Sequence, residues 1–163
     1  MMMGISVNRM ENNAFLSGSE PEVIDTRFGK IAVKRQTPMV FPRGLLGMPE
    51  RFNFFLTEFP NKNLGKFKLL QSLDDFELSF ITLPIDLENG IIAAEDLSSV
   101  SKELGIKIEN LGALLVVSVH RSPAKVSLSV NARAPLLIDT ATRIAIQHVF
   151  LSDKYKVQHP IVA

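Results

Sequence analysis

The chain contains no cysteine. Disulfides, thiolate metal sites and thiol nucleophiles are therefore excluded. It also lacks a charge excess: 18 basic and 17 acidic residues leave a formal net charge of +1 over 163 residues. A dedicated nucleic-acid binder usually carries a basic surplus. The longest apolar run, around Leu111 to Val119, is far short of the roughly 20 residues that span a bilayer. The N-terminus has no continuous apolar core of the kind that marks a secretory leader. These absences lead us to expect a soluble, cytoplasmic chain with no membrane segment. No His-x-x-x-His spacing, Gly-x-Ser-x-Gly elbow or phosphate-binding loop occurs, so no catalytic, metal or cofactor site is expected.

What is present is β-structure. Lys125 to Asn131 alternates, with Val126, Leu128 and Val130 on one face and Lys125, Ser127, Ser129 and Asn131 on the other. Period two marks a half-buried strand. Leu136-Leu137-Ile138 follows Pro135, and Asp139 to Thr142 reads as a turn. A third run sets Ile144, Ile146 and Phe150 against Arg143, Ala145 and Gln147. Together these three runs predict an antiparallel meander.

Elsewhere the pattern repeats. Val23–Thr26 and Lys30–Lys34 flank Arg27-Phe28-Gly29, a hairpin in which glycine supplies a positive φ. Pro38–Phe41, Arg51–Phe59, Phe67–Leu73 and Leu78–Leu83 read as further strands. Two prolines and two glycines keep Phe41–Pro49 out of regular structure. The nearly continuous apolar run Leu111–Val119 reads as a central strand covered on both faces. The one helix falls at residues 95–104, with Glu95 and Asp96 at its start, Lys102 near its end and Gly105 closing it. Asp153 to Pro160 reads as a polar tail. The expected fold is mainly β: a small antiparallel β-barrel-like domain of about nine short strands and one short helix. Residues 1–20 hold no period and are expected to be a flexible extension, leaving 21–160 as a single domain and, by default, a monomer.

Few residues suggest chemistry. His120, His148 and His159 sit on separate elements, and His148 reads as a rim histidine on the apolar face of its strand. Asp74-Asp75 is a carboxylate pair at a hairpin tip, where solvated turn formers and recognition residues are both common. Lys30, Lys34 and Arg35, with Lys62, Lys66 and Lys68 around Phe67, would suit a small-barrel nucleic-acid surface or an ordinary charged one. Phe41, Leu45, Leu46 and Met48 either form an apolar docking loop or plug an open barrel end. Exposed strand edges offer a further way to pair with an extended partner segment.

Four stretches, taken jointly and in order, resemble the FliW family of flagellar assembly factors. They are Arg27-Phe28-Gly29-Lys30-Ile31 with Phe41-Pro42-Arg43-Gly44-Leu45-Leu46-Gly47; Leu70-Gln71-Ser72-Leu73-Asp74-Asp75 through Phe80; Leu114–Val119; and Asn131-Ala132-Arg133-Ala134-Pro135-Leu136-Leu137-Ile138-Asp139, with Arg143, Gln147, Tyr155 and His159 beyond. Phe76, Leu83-Pro84, Ile144 and Gln158 depart from the family pattern. The resemblance implies a non-enzymatic binding protein. It would bind flagellin in the cytoplasm, and also the translational repressor CsrA, away from its RNA groove, relieving repression of flagellin synthesis. It is expected to need no cofactor and to touch no nucleic acid directly. The expected contact residues are Gln71, Ser72, Asp74 and Asp75 on the hairpin and Phe41, Arg43, Leu45 and Leu46 on the loop. The two carboxylates would face a basic surface of CsrA.

Overall fold

The computed structural model describes residues 21–60 and 62–162. The expected extension, residues 1–20, lies outside them. Eleven strands and one α-helix follow in order: β1 Glu22–Thr26, β2 Gly29–Val33, β3 Met39–Val40, β4 Asn53–Glu58, β5 Lys68–Ser72, β6 Ser79–Ile85, α1 Ala94–Glu103, β7 Leu111–Arg121, β8 Val126–Val130, β9 Leu136–Asp139, β10 Ile144–Gln147 and β11 His159–Ile161. Seven of them close a barrel in the order β7-β6-β5-β4-β3-β10-β9, and β9 returns to β7. The closure is not wholly antiparallel, because β10 meets β3 in parallel at Ile144↔Val40.

The barrel has two apolar layers. Inside it lie Met39, Phe41, Phe54, Leu70, Leu114, Leu136, Ile138 and Ala145. Their sequence neighbours point outward, as the strand period requires. Leu69, Ala113, Leu115 and Leu137 pack beneath a second layer formed by Leu97 and Val100 of α1, Ile24, Ile31 and Val33 of β1–β2, and Tyr155. This double cover explains why β7 and β9 read as continuous apolar runs. It also corrects one face assignment. Ala145 is buried inside the barrel and Ile144 is 49 % exposed, the reverse of the sequence reading. Ile146, on the Ile144 face, packs against the covering layer, so apolar side chains on both faces of β10 meet the core and alternation does not mark the inner one.

The expected meander is corrected as well. β9 and β10 form a hairpin, but β8 and β9 do not pair with each other. Both lie along the same side of β7, β8 against Val117–Arg121 and β9 against residues 111–114. Residues 131–135 bulge out between them. The bulge is held by the main chain of the C-terminal segment, where Ala132 and Arg133 N–H groups donate to Lys156 O. The segment read as a polar tail supplies β11, which pairs with β8.

The helix sits one residue earlier than expected. Its end is a Schellman turn: Gly105 N–H donates to Lys102 O at 3.1 Å and Ile106 N–H to Ser101 O at 2.8 Å, with Gly105 at φ +74°. Leu97 and Val100 face the barrel wall. Burying side chains of this size contributes about 1.5–3 kcal/mol each. Among the described residues no helix is long and apolar enough to cross a membrane.

Candidate partner-binding surface

The Phe41–Met48 loop divides into a buried half and an exposed half. Phe41 is fully buried and Leu45 nearly so. The Phe41 ring meets Phe54 edge-on at 5.3 Å, and both Phe41 and Leu45 belong to the barrel interior. Leu45 and Met48 exchange backbone hydrogen bonds of 3.2 and 2.8 Å, closing a tight turn over Leu46-Gly47. Gly47 takes φ +80° there. The Leu46 N–H donates to Gln147 Oε1 at 2.8 Å, and Gln147 Nε2 donates to Ala134 O at 3.1 Å. The turn is thereby fixed to β10 while the Leu46 side chain stays 57 % exposed. Arg43 is also exposed and borders a groove of about 340 Å³ with Pro42, Leu104, Ile106 and Ile144.

The hairpin between β5 and β6 corrects two expected contact residues. Gln71 and Ser72 are fully buried. Gln71 Nε2 donates to the carbonyls of Ser72, Phe76 and Leu78 at 3.0–3.1 Å. Ser72 Oγ accepts the N–H groups of Asp74 and Asp75 at 3.1 and 3.0 Å. Both side chains shape the turn from within and leave nothing for a partner to touch. Phe41 and Leu45 are withdrawn from the surface for the same reason, that their apolar bulk fills the barrel end.

The carboxylates behave differently from each other. Asp74 Oδ2 accepts the N–H groups of Phe52 and Asn53 at 2.9 and 3.0 Å, and Oδ1 accepts Asn53 Nδ2 at 3.2 Å. Partial burial alone would raise its pKa; the bonds from Asn53 and Phe52, with Arg51 nearby, outweigh it and hold Asp74 below the usual carboxylate range. Asp75 Oδ1 accepts the Glu77 N–H at 3.0 Å, and Oδ2 lies 3.8 Å from Arg51 Nη2 with its side chain 40 % exposed. Asp75 also lines a depression with Met48, Pro49, Arg51 and Leu78. The loop and the hairpin, 30 residues apart in sequence at Leu45 and Asp75, thus meet at one end of the barrel. Of the expected contact residues, those accessible at this end are Arg43, Leu46, Asp74 and, half-buried, Asp75. Arg51 joins them and had no signal in the sequence, since its carboxylate partner comes from the β5–β6 turn, 24 residues on.

The remaining candidates are dispersed. Among the described residues no three His, Asp or Glu side chains gather to hold a metal ion. His120 Nε2 lies 2.8 Å from Ser129 Oγ. His148 lies just past β10, its ring edge-on to Phe150 at 4.9 Å. The basic stretch is locally neutralised: Lys30 pairs with Asp25, Arg35 with Glu22 and Lys68 with Glu58. Phosphate binding draws on uncommitted cations, and these three are committed.

A closed seven-strand barrel with one covering helix and a recognition-sized loop cluster at one end defines a small β-barrel scaffold. The model of the FliW protein family matches residues 22–161. The flagellar assembly factor FliW of Syntrophotalea carbinolica is 31% identical over 144 residues, covering 87% of this chain and 99% of the relative. The factor of the same name in Geotalea uraniireducens is 30% identical over 145 residues, covering 85% and 83%. A crystal structure of the flagellar assembly factor FliW superposes with a TM-score of 0.62 at 21% identity, covering 85% of this chain and 96% of that one; it shares the fold. This chain belongs to the FliW family.

Proposed function

We propose that this protein is a non-enzymatic flagellar assembly factor of the cytoplasm that binds flagellin and, in competition with it, the translational repressor CsrA. Occupation by flagellin would free CsrA to repress flagellin synthesis, and release of flagellin would sequester CsrA again. The observation that carries this reading is the family match over residues 22–161, which takes in the whole barrel and both loops of the candidate surface. The exposed end of the barrel supports it with a mixed face of Arg43, Leu46, Asp74 and Asp75. Charged groups at such a face govern encounter rate and orientation more than affinity.

Calorimetric titration with flagellin, with CsrA, and with one in the presence of the other tests the proposal. Binding of both with mutual exclusion is the expected result. Binding of flagellin alone would leave an assembly factor without the regulatory arm, and binding of neither would overturn the reading.

A further inference from the structure

The barrel wall splits at one corner. β6 and β7 pair from Ile85↔Ala113 to Thr82↔Val116 and stop there. From that point β6 keeps to β5 through Ile81, Phe80 and Ser79. β7 instead keeps to β8 as far as Arg121. The two strands part, and a cleft of about 370 Å³ opens between them, bordered by Arg27, Phe28, Phe80, Ile81, Val119 and Arg121.

The direction of the β7 peptide groups follows from one bond. Asn131 N–H donates to Val116 O at 2.9 Å, so Val116 faces the β8 side. Alternate residues of an antiparallel strand turn to opposite neighbours. Val119 and Arg121 therefore turn their N–H and C=O groups into the cleft, where no strand among the described residues pairs with them. On the facing wall, Leu78 O accepts Ser72 N–H on the β5 side, so Ser79 O points into the cleft. There it accepts a 2.7 Å bond from Arg27 Nη2. A guanidinium thus satisfies a carbonyl that a neighbouring strand would otherwise meet. Exposed edges are usually blunted by proline, by charged side chains or by a short run. The open edge of β7 is short and ends on Arg121, but it holds no proline, and Val119 on it is 39 % exposed.

We propose that the cleft receives an extended segment of a partner protein, added as a strand along Val119–Arg121, with a carboxylate of that segment meeting Arg27 and Arg121. The unpaired peptide groups require an extended backbone. Phe28, Phe80, Ile81 and Val119 suit apolar side chains at alternate positions of the segment. Among the described residues two guanidinium groups and no carboxylate border the cleft, which complements an acidic residue. The inference rests on the partner-binding reading above and assigns it a surface and a mode of contact.

Amide hydrogen exchange of the full-length chain, alone and saturated with flagellin or with CsrA, tests it. At least about tenfold slowing at Val119 and Arg121 in one of the complexes is expected, since a strand bond must open before exchange. Complexes that form while both amides keep their free rates overturn the inference and leave the binding reading intact. Failure of both proteins to bind overturns that reading, and the inference falls with it. A paired substitution gives a second measure. Val119→Pro removes the donor that faces the cleft and keeps the Ser118 and His120 bonds to β8; Val119→Thr keeps the donor. Proline is expected to weaken the affected complex about tenfold relative to threonine. Should Val119→Pro lower the melting temperature, Arg121→Glu at an exposed position replaces it, with the same loss expected. Equal affinity of the proline and threonine variants, or of Arg121→Glu and wild type, overturns the assignment.

Discussion

Asn53 holds the Asp74 carboxylate at both oxygens, its backbone N–H 3.0 Å from Oδ2 and its Nδ2 3.2 Å from Oδ1. Leu73 N–H returns a bond to Asn53 O at 2.8 Å. The start of β4 and the tip of the β5–β6 hairpin are therefore one unit. A substitution at Asp74 removes hydrogen bonds that hold this end as well as its charge, so a charge reversal there is not a clean probe of an interface.

Asp74→Asn is expected to lower the unfolding free energy at pH 7 by about 1 kcal/mol, toward the low end for a charged hydrogen-bonding group because the site is partly wet. The sign of the pH dependence follows from the depressed pKa of Asp74. Its contribution is complete above the unfolded value near ~3.9 and is lost as pH falls through the lower folded value. Urea unfolding of wild type and variant should therefore differ at pH 7 and converge toward pH 2. A difference that stays constant with pH would assign the effect to shape and not to charge.

Tyr155 ties the C-terminal segment to the start of α1. Its hydroxyl accepts the Ala93 N–H at 3.0 Å and donates to Asp96 Oδ2, the oxygen that Lys154 Nζ approaches at 2.7 Å. No side chain of the helix caps its own N-terminus, so this contact replaces the cap. Tyr155→Phe should cost about 1–2 kcal/mol. The amides of the first helical turn should exchange faster while those around Gly105 stay unchanged. Equal acceleration at both helix ends would mean general loosening.

Much of the barrel was legible because its determinants are local. The hairpin at Arg27-Phe28-Gly29 and the closure of α1 at Gly105 rest on positive-φ glycines that the sequence displays. The candidate surface was legible in part. Phe41 and Leu45 read as docking residues or, with more weight, as a plug, and the closed barrel makes them a plug. Gln71 and Ser72 are polar residues beside a turn and read as exposed, yet their partners are main-chain atoms of the same turn, which composition does not reveal. Pairings between distant segments left no trace. β8 and β9 share one side of β7, and β11 completes the sheet from a stretch of polar sequence.

Gly44 sets how close the loop can approach itself. It adopts φ +66°, and a Cβ placed there would lie 2.5 Å from Met48 O and 2.6 Å from Pro49 C. These are backbone atoms that cannot swing aside. Gly44→Ala is expected to destabilise by about 2–4 kcal/mol, combining left-handed strain with overpacking. At Gly47, φ +80° with nothing within 4 Å, alanine bears the strain alone and should cost about 1–2 kcal/mol. Urea midpoints of the two variants measure the difference, and equal losses would remove the steric part of the argument.

The barrel-end surface is best probed where the side chain is free and the backbone is held. Leu46 meets both conditions: its N–H is fixed by Gln147 at 2.8 Å and its side chain is 57 % exposed. Asp75 is the freer of the two carboxylates, its nearest cation being Arg51 at 3.8 Å. Leu46→Asp should leave stability within about 0.5 kcal/mol of wild type; Asp75→Lys gives up the Glu77 N–H bond of the turn and should cost about 1 kcal/mol. If this end contacts a partner, each should weaken that complex by about tenfold or more in calorimetry. The Asp75→Lys effect should shrink as salt is raised, because it is electrostatic and exposed. Gln71→Ala provides the contrast. It should lower stability by removing the amide that holds three carbonyls of the turn, and any loss of affinity it causes should track that instability. Full affinity for flagellin and CsrA in both surface variants would exclude this end of the barrel as the contact and leave the β6–β7 cleft as the surface to pursue.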